Sequence, residues 1–401
     1  SEFITKCTTE YINGSGVSFI PGTATLEKLN GNGFFESFTL PSDVDAISEI
    51  VFQMTFEGGA SASPTFILDL IKKIEIKLGN LVVQTILPGD IYARNLTEFA
   101  NVVNTNTWQA VNANGYYPGA TSSPFDFSLS IPFTGRSTGV DRCFLQAGAV
   151  TNGLIMKTYY NKLGLAAGLV STSAITSLST GVCIFSHSIT STEKNFIAKN
   201  IVNRPVNTSQ SVCLDIQTIT TSSPRSITVD LSPIDINVSH ILVTLDNGVF
   251  NSSGTPVNLG TGSAGTTWTP ITGTNITTNT FGETNLGVVA GWVGTVELVI
   301  GNDRTGNIPG SCLTTNKLDL FKLASVSAKN IYIIKLANSA FSTAGIPFSR
   351  MNNKKLIINF SKGFVIKPYQ NSTEYGTTKL NVTCCGTQIQ STVGGSISFS
   401  A

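Results

Sequence analysis

Charge is what this chain has least of. Charged residues make up 12% of its 401 residues, roughly half the share of an ordinary soluble protein. The formal net charge is +1, and no basic run is longer than the pairs Lys72-Lys73 and Lys354-Lys355. No global field would therefore draw nucleic acid to the protein, and both pairs read as solvated strand edges.

Histidine is almost missing. His187 and His240 are the two in the chain, each inside a strand pattern, and no acidic or cysteine residues cluster beside them. That excludes an obvious metal pair, and a serine nucleophile would have only these two as its base. Neither a Gly-x-Ser-x-Gly elbow nor a glycine-rich phosphate loop ending in Lys-Ser or Lys-Thr occurs. Carboxylates are sparse, and none stand out as a sugar-cleaving pair. Enzymatic activity, a cofactor and a bound metal are accordingly not expected.

Cysteine is present in an odd number, seven, without metal-ligand spacing: Cys7, Cys143, Cys183, Cys213, Cys312, Cys384 and Cys385. These read as buried or incidental thiols of a chain made in a reducing compartment. With Leu380, Val382 and Cys384 facing inward on one strand, Cys385 is expected to face out and react. Long apolar runs are also absent. The best one, 286–300, is short, broken by glycine and carries Glu297, so it reads as buried strand and not a membrane span. No signal peptide is read in the opening residues.

What the chain has in quantity is Gly, Ser, Thr and Asn, a composition suited to sheets with neutral outer faces and long loops. The length allows two domains. A repeated motif agrees with two: Ile346-Pro347-Phe348-Ser349-Arg350-Met351-Asn352-Asn353 ends one strand and leads to the run Leu356 to Phe360, and Ser130-Ile131-Pro132-Phe133 resembles it half a chain earlier. One unit built twice is the expectation.

In chain order, residues 1–32 read as an extended arm. Strands follow at Phe34 to Leu40 and Ile47 to Phe56. Ile74, Ile76 and Leu78 then alternate with Lys73, Glu75 and Lys77 up to the turn Gly79-Asn80, and Leu81 to Leu87 returns beside them. Asp90 is placed to cap a short helix bearing Tyr92, Leu96, Phe99 and Val103. Phe125 to Ile131, Leu154 to Tyr160 and Val182 to Ile189 complete the first set of strands.

Thr190-Ser191-Thr192-Glu193 has the form of a capping box, so a helix to about Asn200, halted near Pro205, is expected as a linker over 190–205. The second half again alternates, at Ile241, Val243 and Leu245, at Val296, Leu298 and Ile300, at Tyr332, Ile334 and Leu336, and at Leu380, Val382 and Cys384. Between the first two lies 249–284, rich in Gly, Thr, Asn and Ser, which reads as an outward loop holding the plausible glycosylation acceptors Asn251 and Asn275. Its Thr261 to Trp268 stretch resembles a propeller Asp-box turn, but occurs once and has Ser263 at the acidic position. The class expected is all-β, with two consecutive eight-stranded antiparallel sandwiches over 33–189 and 206–401 and a few short helices.

These pieces, in this order, resemble the double jelly-roll major capsid proteins of icosahedral DNA viruses, the lineage of the nucleocytoplasmic large DNA viruses and the membrane-containing phages. The resemblance is carried by Phe34 to Phe38, Ile71-Lys72-Lys73-Ile74-Glu75-Ile76-Lys77-Leu78-Gly79-Asn80, Ser130 to Phe133, Gly301-Asn302-Asp303-Arg304, Ile331 to Leu336, Ile346 to Asn353, and the glycine-bearing tail after Lys379. Asn352 stands where the family has Asp.

The resemblance implies two jelly rolls per chain and a homotrimeric, pseudo-hexagonal capsomer in the capsid shell of a virion assembled in the host cytoplasm. Its partners would be neighbouring capsomers and minor capsid, penton or membrane proteins, without sequence-specific nucleic acid. It also suggests that 249–284 forms part of an outer tower and that 1–32 ties subunits together. Arg304, Pro347, Phe348, Arg350 and Asn352 would be structural anchors, so that Arg350→Ala lowers the yield of folded trimer. A carbohydrate- or receptor-binding β-sandwich, as in a spike or adhesin, is the alternative that shares this composition.

Overall fold

The computed structural model describes residues 4–14, 35–58, 71–88, 90–91, 125–131, 133, 144–145, 153–160, 175–216, 226–246, 293–313, 332–338, 345–360, 378–393 and 396–400. The 249–284 loop, its sequons, Cys143, and Tyr92, Leu96, Phe99 and Val103 lie outside them. Among the described residues no helix is long and apolar enough to cross a membrane.

The first half contributes β1 (Ile4–Asn13), β2 (Phe35–Thr39), β3 (Ala46–Gly58), β4 (Ile71–Leu78), β5 (Leu81–Ile86), β6 (Phe125–Ser130), β7 (Phe144–Leu145), β8 (Leu154–Tyr160) and β9 (Ile175–Ile189). Helix α1 (Ser191–Lys199) follows. The second half holds β10 (Val202–Ile216), β11 (Ser226–Asp230), β12 (Asn237–Asp246), β13 (Val293–Ile300), β14 (Asp303–Arg304), β15 (Ile308–Pro309), β16 (Tyr332–Lys335), β17 (Ile346–Pro347), β18 (Lys354–Phe360), β19 (Thr378–Val393) and β20 (Ser396–Ser400).

Each half is a pair of antiparallel sheets. In the first the orders are β1-β9-β3-β6 and β2-β8-β4-β5; in the second they are β10-β19-β12-β16 and β11-β18-β13-β14. Two of the additions match as well, β7 on β3 and β17 on β12, whereas β15 on β13 and β20 on β19 are added in the second half. Alternating side chains fill each interior, because one face of every strand must leave water. Phe38 and Phe52 meet edge to face at 6.3 Å in the first barrel, and Ile241, Val243, Leu298, Tyr332, Phe348, Leu356, Ile358 and Cys384 belong to the buried core of the second.

The duplication extends to irregularities. The β3 ladder slips between Ile47 and Glu49, and the β12 ladder between Val238 and His240. At these bulges Ser48 Oγ donates to Phe185 O and Ser239 Oγ to Cys385 O, both at 3.1 Å. β4 slips after Ile71 and β13 after Val293. Four turn residues with positive φ fall in matching places, Gly79 (58°) with Gly301 (62°) and Gly153 (59°) with Asn353 (52°), a region that glycine and asparagine enter most cheaply. Bulges are built features of a sheet, so their coincidence fixes which residues correspond.

That correspondence corrects several expectations. The Ile-Pro-Phe repeat is out of register. Ile131 donates to Ile50 O at 2.9 Å and so matches Ile334, which pairs with Ile241, while Ile346 matches Phe144, opposite Val238 and Ile47 respectively. Residues 1–32 are not wholly an arm either: β1 is the edge strand paired with β9, in the place that β10 takes beside β19. Its unpatterned sequence follows from having much of its length exposed.

The threonine half of the expected capping box is present: Thr190 Oγ1 accepts the Glu193 N–H at 3.3 Å. Pro205, however, does not halt the helix. Asn200 closes it through its backbone and side-chain nitrogens, both donating to Phe196 O, and Pro205 lies inside β10 opposite Ile389, at a sheet edge where a missing N–H is tolerated. Asp90 lies within a turn in which the Ile91 N–H reaches back to Leu87 O, and the helix it was expected to cap lies outside the described residues.

Candidate assembly surfaces

The features that could serve a larger assembly are the junction between barrels, the open sheet edges and the outer sheet faces. The junction is polar. Asp45, almost fully buried, accepts from the Ile189 N–H at 2.9 Å through Oδ2 and from Lys194 Nζ at 2.9 Å through Oδ1. It thereby ties α1 to the first barrel.

Farther along, Gln84 Nε2 donates to Ser209 Oγ at 3.1 Å, and Ser209 Oγ donates to Asp90 Oδ2 at 3.3 Å, all three buried. The β5 side of the first barrel thus covers Val206 to Ser209 on the edge strand β10. This also explains why Cys385 is buried instead of outward and reactive: it pairs with Ser209 on the face that meets the first barrel. His240, its neighbour on β12, is buried there too, with Nδ1 2.9 Å from Ser239 Oγ. Among the described residues no group of three or more His, Cys, Asp or Glu could hold a metal.

On the outer face of the β2-β8-β4-β5 sheet a charged cluster forms where the sequence shows only alternation. Lys73 Nζ lies 2.5 Å from Glu75 Oε1, Tyr159 Oη donates to Glu75 Oε2 at 2.9 Å, and Lys157 Nζ stands 3.8 Å from the Phe35 ring centroid. Burial pushes the Glu75 carboxyl upward, but Lys73, Tyr159 and Lys77 outweigh it and hold the pKa below its ordinary range. The Tyr159 phenol is pushed up to about 12, by burial first and then by Glu75.

The signs follow. A lowered Glu75 pKa gives stability present above its unfolded value of 4.5 and lost as pH falls through the folded one. A raised Tyr159 pKa gives stability present below 10.0 and lost as pH rises toward about 12. Ultraviolet titration should therefore show one tyrosine ionising near 12, moving toward 10 in Glu75→Gln. The same variant should lose less Tm than the unaltered chain between pH 7 and pH 3; an unmoved tyrosine would disprove the coupling.

The residues expected as anchors fall into two groups. Phe348 is fully buried and its N–H donates to Ile236 O at 3.1 Å, with Pro347 beside it on β17. Arg304, Arg350 and Asn352 are exposed. Arg304 reaches Glu297 at 3.4 Å on the surface, and the Asn352 carbonyl accepts the Gly301 N–H at 3.0 Å.

The cation buried beneath this loop is Lys354, which the sequence reading placed at a solvated edge. Its Nζ donates to Ile234 O at 2.6 Å and to Phe348 O at 2.8 Å. The start of a β-branched run after Asn353 was the one available signal. Gln84 and Ser209 carried none, since neutral polar residues crowd the whole chain, and Asp45 stands between Asp43 and Glu49 with nothing in the sequence to single it out.

Among the described residues, the large apolar side chains left exposed are Leu81 and Val82 at the β4–β5 hairpin, Tyr11 and Phe185 on the β1–β9 face, and Phe196, Ile201 and Val393. Tyr11 lies across Gly181, where an added Cβ would come within 2.1 Å of its hydroxyl. That contact sets the register of the edge strand.

Two jelly rolls in tandem, joined by one helix and seated on each other through β5 and β10, define a double jelly-roll fold. Capsid proteins are among the solved structures that the chain resembles. VP54 of PBCV-1, fitted into a reconstruction of the virophage Sputnik, matches with a TM-score of 0.69 at 14% identity, over 99% of this chain and 97% of that one. A quasi-atomic model of the PBCV-1 capsid gives 0.68 at 12% identity, over 99% and 97%. The Faustovirus major capsid protein gives 0.53 at 10%, over 96% and 90%. No family model and no curated protein sequence matches the chain.

Proposed function

We propose that this chain is a major capsid protein, three copies of which form a pseudo-hexagonal capsomer that tiles an icosahedral shell. The observation that carries the reading is the duplication itself: two barrels alike in strand order, bulges and turns let three chains present six near-equal sides. Full-length likeness to capsid proteins supports it, as does a chain poor in charge, suited to neighbour-to-neighbour packing. Its place is the virion, assembled in the host cytoplasm, and its partners are other capsomers and minor capsid, penton or membrane proteins. The role is structural, not enzymatic.

Light scattering on the purified chain tests it. A mass near three times 42.4 kDa, about 127 kDa, is expected, with hexagonal arrays by microscopy. Interfaces of such a trimer should bury well over roughly 2,000 Å². A stable 42.4 kDa monomer at all concentrations would overturn the reading in favour of a receptor- or sugar-binding sandwich.

A further inference from the structure

The barrels meet through surfaces that the duplication supplies twice. Thr9 faces Phe185 on β9 as Ser209 faces Cys385 on β19, and Phe185 and Cys385 accept the two equivalent bulge hydrogen bonds. Thr9 is therefore the counterpart of Ser209. On the opposite side, Gln84 stands against Ile76 as Thr305 stands against Leu298, whose N–H it accepts at 2.9 Å. Ile86 and Ile308 pair with Ile74 and Val296, and buried Ile91 and Leu313 each close the turn that follows. That places Cys312 where the first barrel has Asp90.

Burial separates the used pair of surfaces from the other. Gln84 and Asp90 are buried where they meet Ser209 of β10, and Val206 to Ser209 are buried with them. Their counterparts are open: Thr305 and Cys312 on one barrel are exposed, with Gly306, Asn307 and Ser311 exposed around them, and on the other Lys6 and Thr9 are exposed, Thr8 is half-buried and the adjoining Glu10 is exposed.

We infer that residues 303–312 of one chain seat on β1 of a second copy, around Lys6 to Glu10, in the manner that β5 and Asp90 seat on β10 within the chain. The contact is heterologous, so every copy gives one surface and receives the other, and such contacts close into a ring when the rotation allows. The number of copies rests on the capsomer reading. In the inferred contact the side chain at position 9 meets Cys312, as Ser209 Oγ meets Asp90 at 3.3 Å.

Thr9→Cys tests this directly, because the second thiol is already present. After mild oxidation, non-reducing denaturing electrophoresis should show covalently linked chains that are absent from Thr9→Cys combined with Cys312→Ser. In the unaltered trimer, iodoacetamide should modify Cys312 at least about tenfold more slowly than the exposed Cys213. A trimer by mass that lacks the Cys312-dependent link and labels Cys312 freely would overturn the inference and leave the capsomer standing. A monomer by mass would overturn both.

Discussion

Lys354→Ala should unfold the second barrel about 3 kcal/mol more easily, with little change in the first. Lys354 is 4% exposed, and its ammonium donates to two main-chain carbonyls, Ile234 O and Phe348 O, while lying 5.7 Å from the Phe348 ring centroid. One side chain thus holds the β11–β12 connection and the turn before β18 to the same point. Truncating it leaves both carbonyls buried without this donor and opens space beside Phe348.

Leu154 occupies the matching position of the first barrel, since Leu40 N donates to Leu154 O as Leu231 N donates to Lys354 O. Lys354→Leu should therefore keep the packing and lose only the hydrogen bonds, at about 2 kcal/mol. Calorimetry of both variants checks the order; equal Tm values for Lys354→Ala and the unaltered chain would show that the two carbonyls do not depend on the amine. Exposed Arg350 sets the contrast, for Arg350→Ala should cost the isolated chain under about 0.5 kcal/mol. Any larger loss of trimer in that variant would come from another copy.

Sheet periodicity was legible wherever one face of a strand meets water. Ile71–Leu78 and Leu154–Tyr160 fall where their alternation put them, and Thr190 caps α1 as its spacing indicated. Legibility failed where both faces share one environment. β1 is mostly exposed and gave no pattern; residues 381–387 of β19 are buried on both faces, which hid the inward place of Cys385. The duplication was suspected from Ile-Pro-Phe, yet its true register lies in bulges and positive-φ turns, which are backbone features that different side chains satisfy equally. The junction was unreadable for a related reason, because Gln84 and Ser209 become specific only when the chain brings them within 3.1 Å.

Gly386→Ala should be at least as damaging as Lys354→Ala, at about 3 kcal/mol or more, and should also cost the trimer. A Cβ at Gly386 would lie 1.8 Å from Asn237 O and 2.7 Å from Asn237 C, both backbone atoms of β12, so no side-chain rotation relieves the clash. The strands must part at the bulge. Its first-barrel counterpart is Ser186, which is buried and carries a side chain at the same topological place, so Ser186→Gly should cost only about 1 kcal/mol. Gly386 pairs with Thr208, and adjacent Cys385 pairs with Ser209, the residue that Gln84 and Asp90 hold. A displaced β19 therefore shifts β10 against the first barrel, and with it the angle between barrels that the proposed capsomer requires. Calorimetry and solution mass together decide: a Gly386→Ala chain with unchanged Tm and a mass near 127 kDa would show that main-chain contact at this bulge sets neither the sheet spacing nor the junction.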